Sequence, residues 1–476
     1  MNYIPNTDAD RQAMLRTIGV QSTADLFRDV PEQRRFPKLN LPPALSEMEV
    51  LQELGARGDE NDDLGRLSCF LGAGAYNHFV PTVVDFLLHR SEFFTAYTPY
   101  QPEISQGTLQ AHFEYQSMIC ALTGMEVSNV SHYDGGTALA EAVIMALQVS
   151  RGKRCKVILS PTVNPQYREV IHTYIQGMCL QTAGEGLLET APGVGLNAAQ
   201  GGPNGNLLDS LAGLLDRESA CVIVQNPDFF GRLYSPAEMQ LLADKAHAAG
   251  ALFVVSVDPI SLGLFVPPGQ YGADIVTGEG QPMGNPLSFG GPYLGFFTMK
   301  SGEVRKSAGR IVGQTVDSDG RRGFVLTLST REQHIRREKA SSNICSNEAL
   351  NALAAAIYMA AMGKYGLRTV AELSFHKAHY AADLIGKVDG YQVMSATPFF
   401  KEFVVRCPRP VEDINRILLA NYGIVGGYDL GRSFPGLSGH MLVCVTELNS
   451  RADIELLAEA LGEIAEMDAE SEVAGD

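Results

Sequence analysis

The sequence predicts an α/β fold: a large domain on a mostly parallel open sheet, a smaller C-terminal α/β domain, and an N-terminal arm. Three observations carry that expectation. Five short runs, "CKVILS", "ACVIVQNP", "ALFVVSVD", "ADIVTG" and "YLGFFTM", are apolar along most of their length rather than alternating, as strands covered on both faces are. The segments "PQYREVIHTYIQG", "NLLDSLAGLLDR" and "SPAEMQLLADKAHAAG" between them space their apolar residues as helices do. The length, 476 residues with 45% hydrophobic and 19% charged, suits two or three packed domains of a globular protein.

Taken in order, residues 1–63 are polar and punctuated by proline, as in "DVPEQRRFPKLNLPPALSEMEV". They read as an arm with two amphipathic helices, near residues 8–17 and 46–54, closed by "RGDENDD" as a solvated acidic hinge. Residues 64–340 form the large domain. There "SPAEM" offers Ser235 as an N-cap, Pro236 at the first helical position and Glu238 three residues beyond the cap. Residues 341–476 begin with helices over "NEALNALAAAIYMAAMG" and "GLRTVAELSFHKAHYAADLIGK". The small domain follows, with strands "FKEFVVRC" and "HMLVCVTE", helices "PVEDINRILLANYG" and "RADIELLAEALGEIAEM", and a frayed tail "DAESEVAGD".

Bulk properties exclude several functions. A net charge of −17 argues against nucleic-acid binding, which needs a basic footprint. The eight cysteines are scattered singly with no CxxC pair, so neither a zinc site nor a redox motif is expected; Cys221 and Cys444 sit in apolar runs as small buried hydrophobes. The start "MNYIPNTDADRQAML" lacks the pattern of a signal peptide, and no apolar run approaches the ~20 residues of a membrane span. A cytoplasmic protein bound to neither membrane nor metal is expected.

In open α/β sheets ligands sit at the carboxyl ends of the strands, and three loops there stand out. In "SHYDGGTALAEAVIMAL", Asp134, Gly135, Gly136 and Thr137 run straight into a helix, which makes either an anion site or an ordinary turn capped by Asp or Thr. In "ALFVVSVDPISLGL", Asp258 ends an apolar strand and needs a partner, whether a loop N–H or the protonated ring nitrogen of a pyridoxal cofactor. The third loop, after "ADIVT", is where a pyridoxal enzyme of this architecture carries its Schiff-base lysine. Here it reads Gly278, Glu279, Gly280, Gln281. The next lysine, Lys300, follows another strand that returns to the opposite sheet edge if antiparallel.

Three long segments now identify a resemblance. "FLGAGAYNHFVP" (residues 70–81), "TAYTPYQPEISQGTLQAHFEYQ" (95–116) and "GRIVGQTVDSDGRRGFVLTLSTREQHIRREKASSNICSNEALNALAA" (309–355) are similar to the P-protein of the glycine cleavage system, glycine dehydrogenase (decarboxylating). The similarity spans essentially the whole chain and matches the first subunit, equivalent to the N-terminal half of the single-chain form. It implies the pyridoxal-phosphate-dependent fold type I. It also implies an enzyme that decarboxylates glycine through a pyridoxal phosphate aldimine and passes the aminomethyl group to the lipoyl arm of H-protein. The cofactor is then bound covalently on P-protein subunit 2, and this chain completes a shared active site within a heterotetramer of two of each subunit. Asp134, Gly135, Gly136, Thr137, Asp258, Gly278, Glu279 and Gln281 become lysine-less counterparts of a cofactor site.

The resemblance points to "YTPYQPEISQG" as the segment that lines the shared pocket through Tyr97, Thr98, Tyr100, Gln101, Glu103, Ser105 and Gln106. Pro99 and Pro102 hold it extended; a merely structural loop or subunit contact is the plainer alternative. Gly72 and Gly74 are expected to permit close backbone approach. Arg331, His334, Arg336, Arg337 and Lys339 concentrate positive charge in an acidic protein, as a solvated face or as a contact for the partner or an acidic H-protein. A scaffold subunit and a self-sufficient pyridoxal enzyme are the competing functions.

Overall fold

The computed structural model describes residues 5–188, 207–394 and 398–473. The chain separates into two compact units, Met1–Asp63 and Leu64–Asp476. In the first, helix Asp8–Ile18 starts from a Thr7 capping box and helix Glu47–Asp59 from a Ser46 capping box. The second helix runs through Arg57 and Asp59, so the front of "RGDENDD" is helical rather than a hinge, because no Pro or β-branched residue stops it. Helix Glu47–Asp59 buries none of its residues within the unit, and Leu39, Leu41, Met48, Leu51 and Leu54 are all exposed.

In the second unit the early strands are β1 (Ser68–Cys69), β2 (Val127–Ser128), β3 (Lys156–Leu159) and β4 (Gln181–Ala183). They are followed by β5 (Ser219–Gln225), β6 (Leu252–Val257), β7 (Ile275–Glu279) and β8 (Gly295–Met299). Seven of them form one sheet in the order β2-β8-β7-β6-β5-β3-β4. The pairs from β7 to β4 are parallel, whereas β8 is antiparallel to both β7 and β2. The apolar runs become these strands because alternate residues feed two cores. Val222, Val224, Phe253, Val255 and Val276 face one, and Cys221, Ile223, Val254, Ile275 and Phe297 the other. Cys221 is the small buried hydrophobe expected, and burial pushes its thiol up to about 12. Helix Pro236–Ala249 forms as its capping signal demands, with Ser235 Oγ accepting from Glu238 N. Helix Leu207–Gly213 covers part of "NLLDSLAGLLDR", whose residue 206 lies outside the described residues.

Beyond the sheet lie an antiparallel hairpin of β9 (Ile311–Val316) and β10 (Arg322–Thr327), and a long helical stretch, Ala349–Ile385. The two helices expected there are nearly continuous, broken at Gly363 with φ 58° and ψ −176°. The remaining strands are β11 (Gln392–Val393), β12 (Glu402–Arg406), β13 (Ile424–Val425), β14 (Tyr428–Asp429) and β15 (His440–Cys444). The four-stranded sheet β11-β12-β15-β14 is antiparallel, and helices Val411–Tyr422 and Arg451–Val473 share its core with Ala378, Ile385 and Phe403. The last helix runs on into the tail expected to fray; residues 474–476 lie outside the described ones. β13 pairs in parallel with β1 as a separate two-stranded sheet, tying residues just before the "FLGAG" segment to the segment that follows helix Val411–Tyr422.

The crossing of Gly231 over β12 fixes how the two sheets meet. Gly231, at φ +84°, accepts from Phe400 N at 2.9 Å, and a Cβ there would lie 1.8 Å from the Glu402 carbonyl oxygen. Gly231→Ala is therefore expected to lower urea-unfolding stability by more than about 2 kcal/mol. Gly177→Ala, at φ +79° with nothing within 4 Å, serves as the control for the backbone effect alone. Equal losses at the two positions would contradict the packing described.

Candidate active site

At the carboxyl edge of the sheet, the turn after β2 enters helix Gly135–Val149. Asp134 caps it, its Oδ1 accepting from Thr137 N at 2.7 Å, while Asp134 N donates back to Thr137 Oγ1 at 3.1 Å. Gly135 N points instead across the sheet to Glu279 Oε2, at 3.0 Å. The other oxygen of Glu279 accepts from Gln281 N at 2.9 Å and Leu294 N at 3.0 Å. The Glu279 side chain is thus clamped by three backbone N–H groups from three segments. Burial pushes its carboxyl up to about 8, against those three hydrogen bonds, which favour the charged form. Gly278, one residue earlier in β7, packs on the Phe296 ring, and Gly136 lies against Tyr167.

Gln281 performs a second closure. Its amide accepts from Tyr76 N and donates to Tyr76 O, each at 3.0 Å, so the "GEGQ" loop zips onto the "FLGAGAY" segment. That segment approaches closely, as its glycines imply: a Cβ at Gly72 would lie 2.5 Å from Glu402 Oε1. Asp258, at the end of β6, has its loop contact to Ile260 N at 2.9 Å and also an ion pair with Lys401 Nζ at 2.6 Å. Lys401 is only 1% exposed; it donates to His78 Nε2 at 2.9 Å and stands 3.4 Å from the centre of the Tyr76 ring. Since an ammonium cannot accept, His78 holds its proton on Nδ1, which faces Glu447 Oε2 at 2.6 Å. Beside this chain, Glu402 accepts from Ala73 N at 2.7 Å and Tyr76 Oη at 2.8 Å, and burial pushes it up to about 7.

Lys300 lies at the other edge. Because β8 is antiparallel, Lys300 returns to the start of β7, where its Nζ meets Asp274 Oδ1 at 2.6 Å.

The segment after Thr95 sits elsewhere, against the β9–β10 hairpin. Its anchor is Arg310, 3% exposed, which stacks on the Tyr100 ring at 4.9 Å and donates to Tyr100 Oη and Cys345 Sγ, both at 2.9 Å. Arg310 also donates to Ser346 Oγ at 3.0 Å and pairs with buried Glu332 at 2.6 Å. Thr98 hydrogen-bonds Ser346, and Pro99 is buried. Gln106 is spent on scaffolding, bonding both the N–H and the carbonyl of Phe324. Ser105 is half-buried; Gln101 and Glu103 are exposed, as are Tyr97 (84%) and Tyr100 (48%). Tyr97, Thr98 and Pro99 line a cavity of about 200 Å³ with Arg310, Ser346 and His112, whose imidazole burial pulls down to about 4. In the basic segment, Arg331 is half-buried, bonding the carbonyls of Ser307 and Gly309, while Arg336, Arg337 and Lys339 are exposed. His334 is exposed and stands 3.4 Å from Glu332.

The sequence reading missed Lys401, Tyr76, His78 and Arg310. One signal was present: "FFKEF" places a lysine and a glutamate inside an apolar strand, where an ion needs a partner. Among the described residues no group of three or more His, Cys, Asp or Glu could hold a metal ion, and no helix is long and apolar enough to cross a membrane.

The family model described as glycine cleavage system P-protein matches residues 1–461. The probable glycine dehydrogenase (decarboxylating) subunit 1 of Geobacillus sp. (strain WCH70) is 50% identical over 462 residues, covering 97% of this chain and 98% of the relative. That of Desulforamulus reducens is 51% identical over 466 residues, covering 98% and 100%. A crystal structure of glycine decarboxylase (P-protein) of the glycine cleavage system, in inhibitor-bound form, matches with a TM-score of 0.85 at 43% identity, over 98% of this chain and 100% of that one. A sphingosine-1-phosphate lyase of Burkholderia pseudomallei matches at TM-score 0.61 and 14% identity, over 93% and 97%, and bears on the fold alone.

The buried carboxyls make stability depend on pH. Glu279 and Glu402 have folded values of about 8 and 7, above the ordinary 4.5, so between those limits the folded chain binds more protons than the unfolded one. Their contribution is complete below about pH 4.5 and is lost as pH rises through 7 to 8. Glu279→Gln is expected to flatten this slope, by up to about 1.4 kcal/mol per pH unit for one proton, in unfolding measured from pH 5 to 9. An unchanged slope would show that Glu279 is not buried as described.

Proposed function

The chain belongs to the glycine cleavage system P-protein family, and from that premise we propose that it is subunit 1 of a two-chain glycine dehydrogenase (decarboxylating), completing an active site it does not hold alone. The fold is that of the pyridoxal-phosphate-dependent type I class, an α/β architecture on a mostly parallel sheet. Pyridoxal phosphate is assigned to P-protein subunit 2. This chain's own residues do not fit the cofactor: the loop between β7 and β8 contains no lysine, and the cavity between Asp258 and Glu279 measures about 30 Å³.

The observation that carries the proposal is the loop after Thr95. It is anchored through buried Pro99, the Thr98–Ser346 hydrogen bond and Arg310 on Tyr100, yet the Tyr97 ring stands largely exposed and the Tyr100 ring about half exposed. Anchored polar side chains facing outward suit a wall that another chain completes. There Tyr97, Thr98, Tyr100 and the neighbouring polar groups hold glycine and exclude water when the partner closes over them. Gln106 braces that wall instead of lining it. The exposed Arg336, Arg337 and Lys339 offer a basic contact, on a chain of net charge −17, for the partner or for an acidic, lipoylated H-protein. A cytoplasmic heterotetramer of two of each subunit, and a division of the body at residues 340/341, complete the proposal.

Tyr97→Phe removes one hydroxyl from an exposed ring and is expected to leave the chain's stability within about 0.5 kcal/mol. In the reconstituted pair, with H-protein, it should lower kcat/KM for glycine about tenfold, equivalent to about 1.4 kcal/mol. Wild-type turnover from both Tyr97→Phe and Tyr100→Phe would favour a scaffold subunit that supplies no group to the site.

A further inference from the structure

We propose that this chain's own sheet edge is a cofactor site closed by internal ligands, with the Glu279 carboxyl in the anion position at the start of helix Gly135–Val149 and the Lys401 ammonium in the cation position on Asp258. The inference rests on the proposed function for the identity of the excluded group, pyridoxal phosphate.

A pyridoxal phosphate site needs an N–H cradle for the phosphate, an acidic partner for the protonated ring nitrogen and a neutral amine for the imine. Each requirement is already met, or blocked, from within. The cradle's Gly135 N–H is taken by Glu279 Oε2, and the opposite oxygen is held by Gln281 N and Leu294 N, so the side chain is fixed from both ends. The acid, Asp258, has its countercharge in Lys401 at 2.6 Å. The amine that reaches Asp258 is Lys401, held by that carboxylate, the face of Tyr76 and the accepting Nε2 of His78. An imine needs that nitrogen free, and all three contacts hold it.

The remaining space confirms that the ends are closed by packing rather than by loose collapse. Two cavities, of about 30 and 10 Å³, share Tyr76, Gln225 and Asp258. A single water needs roughly 10–15 Å³, whereas ligand pockets run to about 300 Å³ and more. Tyr167 fills the rest: a Cβ at Gly135 would lie 2.6 Å from its hydroxyl and 2.9 Å from Glu279 N. Gly135 is thus required by the internal contacts, with no phosphate needed to explain it. The Glu279 and Lys401 sides of the pocket meet at Asp258, which lines both cavities.

Two titrations of the full-length chain test this. Wild type, without its partner, is titrated with pyridoxal phosphate by visible absorbance and then treated with borohydride; no saturable band and no reduced adduct are expected. Glu279→Ala is compared with wild type in inorganic phosphate, with thermal unfolding as the readout. The variant should start with a lower Tm and regain a few degrees saturably with phosphate, while wild type does not respond. One-to-one cofactor binding by wild type, or equal phosphate responses from the two chains, overturns the proposal. If the variant does not fold, the wild-type titration decides alone. Loss of the proposed function would appear instead as absent glycine turnover in the reconstituted pair, which neither titration reads.

Discussion

Three backbone N–H groups converge on one buried side chain, Glu279, and the architecture of the sheet edge follows from that convergence. They come from the start of a helix, from the loop itself and from the residue just before β8. A buried N–H left without an acceptor costs about 1–3 kcal/mol, so the three segments are held in register by the demand of each for the same carboxyl. Gln281 extends the closure to Tyr76, and Tyr76 in turn carries Glu402 from the second sheet. The Gly-rich loop after β7 therefore has a use that needs no catalytic residue: it supplies the groups that close the edge from inside.

The second sheet contributes the opposite charge. Lys401 and Glu402 are neighbours on or beside β12 and turn into the same polar seam, one toward Asp258 and the other toward Tyr76 and Ala73. Buried ionisable groups are costly unless satisfied: Lys401 is paired with Asp258, and Glu402, pushed up to about 7 by burial, accepts from Ala73 N and Tyr76 Oη. The His78–Glu447 link adds a further partner on the far side of Lys401, so this end of the pocket is a connected network rather than one isolated pair. Its closure leaves the chain's outward-facing chemistry to the loop after Thr95, where Arg310 holds the Tyr100 ring and hydroxyl and Tyr97 stands exposed.

How much was legible in the residues follows from the range of each interaction. Strands β3, β5, β6, β7 and β8 were readable because two-sided burial leaves a continuous apolar run, which the short edge strand β4 lacks, and helix Pro236–Ala249 because its cap lies within four residues. The break at Gly363 was readable as well, since Gly-Lys-Tyr-Gly ends one expected helix and starts the next; that the second follows almost without a gap was not. The missing lysine after β7 was visible as an absence, but the positive role of Glu279 depends on a helix start far away in the chain. Likewise "FFKEF" announces that ions lie in a strand without saying that Asp258 and Tyr76 receive them.

The central claim is that this chain makes an active enzyme only by completing a site on another. It is tested most directly by release of labelled carbon dioxide from carboxyl-labelled glycine, with lipoylated H-protein present, for this chain, for subunit 2 and for mixtures at a fixed total. The account predicts no release from this chain alone, little from subunit 2 alone and a maximum near equal amounts. Full activity from this chain alone would contradict it, as would full activity from subunit 2 that does not change when this chain is added.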